Sequence, residues 1–442
     1  MNKRLNVILS STLFALLLSA CGPTVRQYTG TEVQGVSDNK ILVGNTAATS
    51  GAFASVGLPF NSGINAVFDA YNLAGGFNGK MLELKHYDDG FDGAVGLTYT
   101  QKLVEEDKVF ALVGHFGTNT VGSTVDYIKE KGVPMVYAAT GISELYQEEA
   151  VGYNRAVMPV QPIYNTEGRA LLARALAATT DKVGLGALKV GVISTTDDAG
   201  EGMLAGVKRQ AEELNKTARD AIKYVTTKAD AGTNHSAPIN TLKSADVDVI
   251  IVAANQAPFA EIMGYLRDGN VTAKVITSYV SANAVTLGAL VDSGAITESR
   301  PVFTTAWLDV AANNFAEYLE YVAIQMVRDA KKLDSQPDLG WVGSAYAIAG
   351  YIAAKIFIMG LERVEEAEKT LTWLNYIEAM EESPVNLPMG GELNFANGAR
   401  LGIADLALNT IGKNEADEHT LISVDGITGL ADVWAAVPAS LK

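Results

Sequence analysis

Short runs of β-branched residues alternate with longer amphipathic segments along most of this 442-residue chain, in two successive series. Each short run has the length of a strand and each amphipathic segment the period of a helix, so the repeated unit is βα. Strands that are joined by crossover helices run parallel, and their sheet needs helices to cover it. The pattern therefore predicts an α/β fold with two doubly wound, Rossmann-like lobes. The predicted strands are 41–45, 82–86, 110–114 and 134–138 in the first series, and 189–194, 221–225, 249–253 and 274–277 in the second.

The last third of the chain holds too few elements for a third domain. It contains helical patterns at 314–330 and 345–361 and Gly/Asn-rich turns at 389–397. We expect these segments to return to the two lobes, so that several chain crossings form a multi-strand hinge. The expected lobes are 40–158 plus about 308–390, and 159–307 plus about 391–442. The helices predicted within the two series are 59–73, 94–106, 120–131, 165–178, 201–215 and 258–267.

The N-terminus has the pattern of an exported protein. Lys3 and Arg4 precede an uncharged stretch with an apolar centre, which predicts a signal peptide over residues 1–20. The stretch ends in Leu18-Ser19-Ala20-Cys21, which resembles the bacterial lipobox and implies cleavage before Cys21 and lipidation of its thiol. Cys21 is the only cysteine, and acylation accounts for an otherwise unpaired thiol. The polar, aperiodic residues that follow predict a flexible tether, so that 21–39 is lipidated cysteine plus tether.

Charge and motifs argue against several other classes of protein. A formal charge of −16 disfavours nucleic acid as a partner, because polyanions are repelled. The four histidines are dispersed without a metal-ligand spacing, and the sequence has no Walker A motif and no G-x-S-x-G elbow. Gly184-Leu185-Gly186 precedes a strand, whereas a dinucleotide fingerprint follows one. We therefore expect no metal, no cofactor and no enzymatic activity.

A series of short motifs lies at the predicted strand ends and turns. In their order and spacing these motifs resemble the type I periplasmic binding proteins, specifically the group that binds leucine, isoleucine and valine. The resemblance extends over nearly the whole mature chain and implies that a small molecule binds in a cleft between the lobes. The motifs are Thr49-Ser50-Gly51-Ala52-Phe53-Ala54, Asn72-Leu73-Ala74-Gly75-Gly76-Phe77-Asn78-Gly79-Lys80, Tyr87-Asp88-Asp89, Gln101-Lys102-Leu103-Val104, Val113-Gly114-His115, Gly132-Val133-Pro134 and Gly200-Glu201-Gly202.

The resemblance implies a binding site for the ligand's carboxylate in the first lobe. In the family, hydroxyls and backbone amides after two strands hold this group, and the matching positions are Thr118, Ala138 and Thr140. Backbone amides and hydroxyls stabilise an anion without a buried cation, so the chemistry is reasonable. The alternative is that both threonines are only helix N-caps. Trp341 and Tyr346 lie where an aromatic wall is expected, and a role in the core is equally consistent with their size.

The other end of the ligand site departs from the family pattern. Where the family has a glutamate that meets the ligand's ammonium, this chain has Tyr279, and Asn255 stands where a tyrosine often occurs. Burying an ammonium without a carboxylate is costly. Asp197 or Asp198 is a candidate to supply the charge, and Tyr279 itself offers a cation–π contact or a phenolic hydrogen bond. The ligand is thus an amino acid, a related amide or a carboxylate without an amine.

The resemblance implies a binding protein that delivers its ligand to an ABC transporter permease. Its partners are then the small-molecule ligand, the permease and a membrane that holds the lipid anchor on its outer side. A sensory module of the same fold, which presents the ligand to a membrane receptor, is the alternative. An exported hydrolase is disfavoured because the adjacent Asp88 and Asp89 at a strand end point to opposite faces.

Overall fold

The computed structural model describes residues 25–177, 187, 189–308, 315–332, 341 and 344–442, which form two sheets with helices packed against them. The predicted signal peptide and Cys21 lie outside these residues. The strands are β1 Lys40–Ala47, β2 Met81–Asp88, β3 Leu112–Val113, β4 Met135–Val136, β5 Val157–Met158, β6 Val190–Thr195, β7 Lys223–Thr227, β8 Val249–Ala253, β9 Lys274–Thr277, β10 Val302–Ala306, β11 Val385–Asn386, β12 Glu392–Leu393, β13 Leu406–Lys413 and β14 His419–Thr428. The helices are α1 Ala54–Leu73, α2 Gly93–Glu105, α3 Thr118–Lys131, α4 Tyr164–Leu176, α5 Asp198–Ala211, α6 Lys216–Asp220, α7 Ser236–Ser244, α8 Gln256–Asp268, α9 Ala284–Asp292, α10 Phe315–Lys332, α11 Ala345–Glu366, α12 Trp373–Glu382 and α13 Leu430–Ala435.

The first sheet is parallel throughout, in the order β2-β1-β3-β4-β5. Strands β3, β4 and β5 are short and fully buried, because helices and loops cover them as a parallel sheet requires. Sequence analysis predicts the first four of these strands and misses β5, whose two residues are too few for a periodic signal.

Helices α1 and α11 pack in close contact beside the first sheet. Glycines make this approach possible, because a Cβ atom on Gly350 would lie 1.9 Å from the carbonyl oxygen of Phe60, and one on Gly63 would lie 2.0 Å from that of Ala347. Helix α11 is long and apolar enough to cross a membrane by length and composition, but 67% of its most apolar window is buried inside the protein. It is therefore placed as a core helix of this lobe.

The second sheet has the order β14-β13-β10-β9-β8-β6-β7. The five strands from β10 to β7 are parallel, whereas β13 pairs antiparallel with β10 and β14 pairs antiparallel with β13. The predicted fold, two mostly parallel α/β lobes, is confirmed. Sequence analysis predicts neither the parallel strand β10 nor the C-terminal hairpin β13–β14.

The chain passes between the two sheets more than once, and the crossing segments lie side by side. The amide of Ile403 donates to the carbonyl oxygen of Val160 at 3.0 Å, and Leu308 forms an antiparallel bridge with Gly390. After β10 in the second sheet, α10 and α11 pack on α1 of the first lobe, and β13 then returns to the second sheet. The exact lobe boundaries given above remain a prediction.

Residues 25–36, which we call the N-terminal strap, are bound to the first lobe. The Tyr28 hydroxyl donates to the carbonyl oxygen of Gly132 at 2.6 Å. The Gln34 side-chain amide donates to the carbonyl oxygens of Val104 at 3.1 Å and Val109 at 2.9 Å. The expectation of a flexible tether over 21–39 is therefore wrong for these residues, because polar side chains that sequence analysis assigns to solvent find partners on the lobe.

Candidate functional site

Two threonine hydroxyls meet at the carboxyl edge of the first sheet. Thr118 is the first residue of α3, which follows β3, and Thr140 lies after β4; their Oγ1 atoms are 3.0 Å apart. Thr140 is buried and Thr118 is half-buried. The N-cap of α3 is Gly117, so Thr118 is not the N-cap that the alternative interpretation required. Its hydroxyl, which is paired with that of Thr140, lies beside the first amides of the helix, where an anion is favoured.

A kink in the backbone places a free amide near this pair. Tyr137 has a φ of 60°, a left-handed conformation that is a genuine outlier for a bulky residue. The amides on either side are paired, since Tyr137 donates to Met158 and Ala139 donates to His115. In the part of the chain that the structure describes, the Ala138 amide has no hydrogen-bond partner although the residue is fully buried. Strain of this kind is often retained at binding sites.

Three aromatic side chains form a wall beside these groups. The Trp307 ring lies 6.0 Å from that of Tyr137 and 6.5 Å from that of Tyr279, measured between centroids. The hydroxyls of Tyr137 and Tyr279 are inaccessible to solvent and make no hydrogen bond to the described residues. Burial raises the pKa of both phenols, so both are neutral groups that can donate or accept one hydrogen bond.

Tyr164 brings a group from the second lobe to the threonine pair. It is the first residue of α4, which packs against α5 and the second sheet. Its side chain contacts the hydroxyls of Thr118 and Thr140, which oppose the rise in its pKa that burial causes. The threonine pair is therefore a point at which the two lobes meet.

Glu167 is a buried carboxylate that sequence analysis did not single out. Its oxygens accept hydrogen bonds from the hydroxyls of Ser278, at 2.7 Å, and Thr305, and from the amide of Tyr279 at 3.3 Å. Burial raises the pKa of Glu167 to about 6 even though these three donors favour the charged form. An acidic residue in the first turn of a helix is common at the surface, so the sequence contained no signal that this one is internal.

The acidic residues proposed to meet an ammonium are engaged or exposed. The Asp197 carboxylate accepts hydrogen bonds from the Gly200 amide at 3.0 Å, the Thr195 hydroxyl at 2.6 Å and the Asn255 side chain at 3.2 Å. Asp198 is exposed, and the pKa of its carboxyl is raised by partial burial and by nearby acidic groups. Asn255 is therefore held by Asp197. Neither aspartate is a buried, unpaired carboxylate of the kind that would meet an ammonium.

An open cavity of about 590 Å³ lies next to the threonine pair, between loops of the first lobe and the start of α5. Phe91 in its lining stacks on Phe53 with ring centroids 3.9 Å apart. Trp341 and Tyr346, which were predicted to form an aromatic wall, make other contacts. The Trp341 carbonyl accepts from the Tyr321 hydroxyl at 2.8 Å, and Tyr346 contacts the Asn283 side chain of the second lobe. The cavity is lined by Gly90, Phe91, Asp92, Gly93, Ala94, Thr118, Asn119, Gly122, Ser123 and Asp198.

His115, the histidine nearest this edge, is part of the core. Its Nε2 atom lies 3.1 Å from the Thr100 hydroxyl and 3.2 Å from that of Thr124. Complete burial lowers the pKa of the imidazole to about 3, so it is neutral at physiological pH. Within the described residues, no group of three or more His, Cys, Asp or Glu side chains is placed to hold a metal ion.

Two α/β lobes that meet at hydroxyls, a free amide and an aromatic wall have the arrangement expected of a solute-binding protein. The chain belongs to the periplasmic binding protein family, whose model matches residues 40–415. This confirms the resemblance to the type I periplasmic binding proteins and the prediction that the chain is not an enzyme. The family is extracytoplasmic, so the same location follows for this chain.

Individual relatives are distant. An amino acid binding protein from Pseudomonas aeruginosa is 21% identical over 237 residues, which span 54% of this chain and 60% of the relative. A fatty acid ABC transporter substrate-binding protein from Thermomonospora curvata superposes with a TM-score of 0.69 at 18% identity, over 93% of this chain and 98% of that one. A possible leucine/isoleucine/valine-binding protein from Rhodopirellula baltica SH 1 gives a TM-score of 0.67 at 18% identity, over 87% and 97%. These structures share the fold and differ in the ligand that they are named for.

Proposed function

We propose that the chain captures a small polar solute between its lobes and delivers it to an ABC importer. The observation that carries the proposal is the group of hydrogen-bonding atoms at the carboxyl edge of the first sheet. Thr118 and Thr140 lie with their hydroxyls 3.0 Å apart, and the buried Ala138 amide is a free donor within the described residues. These atoms suit a carboxylate or an amide oxygen, which accepts several hydrogen bonds at once.

The second lobe favours a ligand without an ammonium group. An ammonium in this cleft would need a carboxylate with spare hydrogen-bonding capacity. Glu167 and Asp197 each already accept three hydrogen bonds from the protein, which leaves each about one of a carboxylate's four acceptor positions. Tyr279 replaces the family's glutamate with a neutral phenol. The ligand class that we propose is therefore an amine-free carboxylate or an amide, with leucine, isoleucine and valine as the competing class.

The N-terminus supports a role at the outer side of a membrane. A signal peptide over residues 1–20 and lipidation of Cys21 would anchor the protein there, close to a permease. The fold serves sensory modules equally well. A permease gene beside this one would favour import, and a receptor kinase gene would favour the sensory alternative.

A thermal-shift screen of the protein tests the ligand class. The panel contains leucine, isoleucine, valine, their amides, and straight-chain and aromatic carboxylates without an amine. A ligand at 100 times its dissociation constant stabilises the folded state by about 2.7 kcal/mol, which gives a clear shift. We expect shifts with amides or amine-free carboxylates. Shifts with the three branched-chain amino acids alone would overturn the proposed ligand class and retain the binding-protein function.

A further inference from the structure

The N-terminal strap runs along the amino-terminal edge of the first sheet, the edge opposite the ligand site. Near the start of β1, the Gly35 carbonyl accepts from the Leu42 amide at 2.8 Å. Tyr28 binds Gly132, three residues before β4. Farther along, the Arg26 carbonyl accepts from the Tyr153 amide at 2.8 Å, just before β5. The strap therefore spans the sheet from β1 to β5 at the end where its strands begin.

Several kinds of contact hold the strap in place. The rings of Tyr28 and Tyr153 lie 4.5 Å apart, and the Arg26 guanidinium lies 4.9 Å from the centroid of the Tyr153 ring. The Glu32 carbonyl accepts from the Trp373 amide at 2.9 Å. These contacts are distributed over most of the segment, so the strap is a bound part of the lobe and not a linker.

Chain length then limits how far the lobe can lie from the membrane. Only four peptide steps separate Cys21 from Val25, the first described residue, and fully extended they span about 14 Å at most. The ligand site lies at the far end of the strands. Strand β1 has 8 residues, which at the usual rise corresponds to about 26 Å.

We propose that the strap orients the protein on the lipid surface, with the amino-terminal edge of the first lobe next to the membrane and the cleft pointing away from it. The proposal rests on the anchoring of Cys21 in the proposed function. It adds that the strap must detach before the cleft can face a permease in the same membrane. A flexible tether of the expected length would impose no orientation.

Fluorescence quenching on a lipid bilayer tests this orientation. The full chain is produced in a bacterial host, and the intact mass of its N-terminus decides whether Cys21 is lipidated. If it is not, the anchor fails, and a maleimide lipid is coupled to this single cysteine so that the orientation is measured all the same. A dye is coupled through an azide-bearing residue at Lys131, on the strap edge, or at Asn119, on the cleft edge. The bilayer carries a short-range quencher on its headgroups.

We expect the dye at position 131 to be quenched at least threefold more than the dye at position 119. The strap-release variant Tyr28→Ala/Gln34→Ala removes the side-chain hydrogen bonds to Gly132, Val104 and Val109 and keeps the backbone bonds, so it should reduce the difference. Val33→Ala is the matched control, because this strap side chain is 45% exposed and its truncation should preserve the difference. Should the double variant be unstable in thermal unfolding, Tyr28→Phe removes only the bond to Gly132 and should reduce the difference in part. Equal quenching at the two positions in the unchanged protein, or a difference that the double variant does not reduce, would overturn the proposal.

Discussion

The hydroxyl oxygens of Thr118 and Thr140 lie 3.0 Å apart, although the two residues follow different strands of the first sheet. Each hydroxyl donates only one hydrogen bond, and one of the two protons lies between the threonine oxygens while the Tyr164 side chain contacts both hydroxyls. Both protons can turn toward an anion when a ligand binds. This relationship gives the first lobe a site for an acidic or amide group without a buried cation.

The threonine pair should determine affinity for the ligand found in the thermal-shift screen. Thr118→Val and Thr140→Val each remove one donor, and a hydrogen bond to a charged group contributes about 1.5–3 kcal/mol. We expect the dissociation constant, measured by titration calorimetry, to rise about 10- to 100-fold. Thr98→Val is the matched control, because this exposed hydroxyl only donates to the Ala94 carbonyl of its own helix. Equal affinities for all three variants would rule out the pair as the anion site.

The unpaired phenols of Tyr137 and Tyr279 should matter for binding and not for folding. Neither hydroxyl has a partner among the described residues, so Tyr137→Phe and Tyr279→Phe should leave the unfolding free energy unchanged or slightly higher. A bond to the ligand is worth about 1 kcal/mol, which predicts a roughly fivefold loss of affinity.

Tyr376→Phe is the control for the two phenols, because it should change stability and leave ligand affinity unchanged. Its buried hydroxyl donates to the Phe357 carbonyl at 3.2 Å, so this variant should lose about 1 kcal/mol of stability and keep its affinity. The assignment of the two phenols to the ligand site fails if their phenylalanine variants bind as tightly as the unchanged protein.

Glu167 should make the folded protein less stable as the pH rises. Its pKa is raised from 4.5 to about 6 in the folded state, so the folded protein holds the proton more tightly than the unfolded chain does. The contribution to stability is full below pH 4.5 and is lost as the pH rises through 6, with a size of about 2 kcal/mol. Chemical denaturation from pH 4 to 7.5 gives the unfolding free energy of the unchanged protein and of Glu167→Gln. The difference between the two isolates Glu167, since all other groups titrate in both proteins. A difference between the two that does not vary with pH would contradict the assignment.

Replacing Gly350 should destabilise the contact between α11 and α1. A Cβ atom there would lie 1.9 Å from the Phe60 carbonyl oxygen, so Gly350→Ala must separate the helices and should cost about 1–3 kcal/mol. Gly264→Ala is the control, because this position in α8 has open space around it and alanine is the better helix former by about 1 kcal/mol. Equal midpoints of thermal unfolding for Gly350→Ala and Gly264→Ala would contradict the close packing of α11 on α1.

The sequence predicts most of the parallel strands because buried strands leave uninterrupted apolar runs. It misses β5, which has two residues, and β10, whose run is interrupted by Thr304 and Thr305. Strands β8 and β9 begin and end at the predicted residues 249–253 and 274–277. The C-terminal hairpin was missed because its second strand, β14, lies at the sheet edge. Strand β14 is nowhere fully buried, and a half-exposed strand with Gly426 within it has no clear apolar period.

The two halves of the candidate site differ in how far the sequence could predict them. Thr118 and Thr140 follow neighbouring strands, and the carboxyl ends of such strands meet in every open α/β sheet. Glu167 and Trp307 could not be predicted, because their roles depend on how the second lobe and the hinge are placed against the first. Asp197 was a candidate to meet a ligand's ammonium. The sequence could not show that its carboxylate accepts hydrogen bonds from Thr195 and Asn255 instead.

The central claim is that the lobes close around a ligand at the threonine pair, and small-angle X-ray scattering measures this most directly. We expect the radius of gyration to fall when the unchanged protein is saturated with the ligand from the screen, because binding shifts the population toward the closed form. The double variant Thr118→Val/Thr140→Val at the same ligand concentration should keep the larger radius. Identical radii for the unchanged protein with and without saturating ligand would contradict the account.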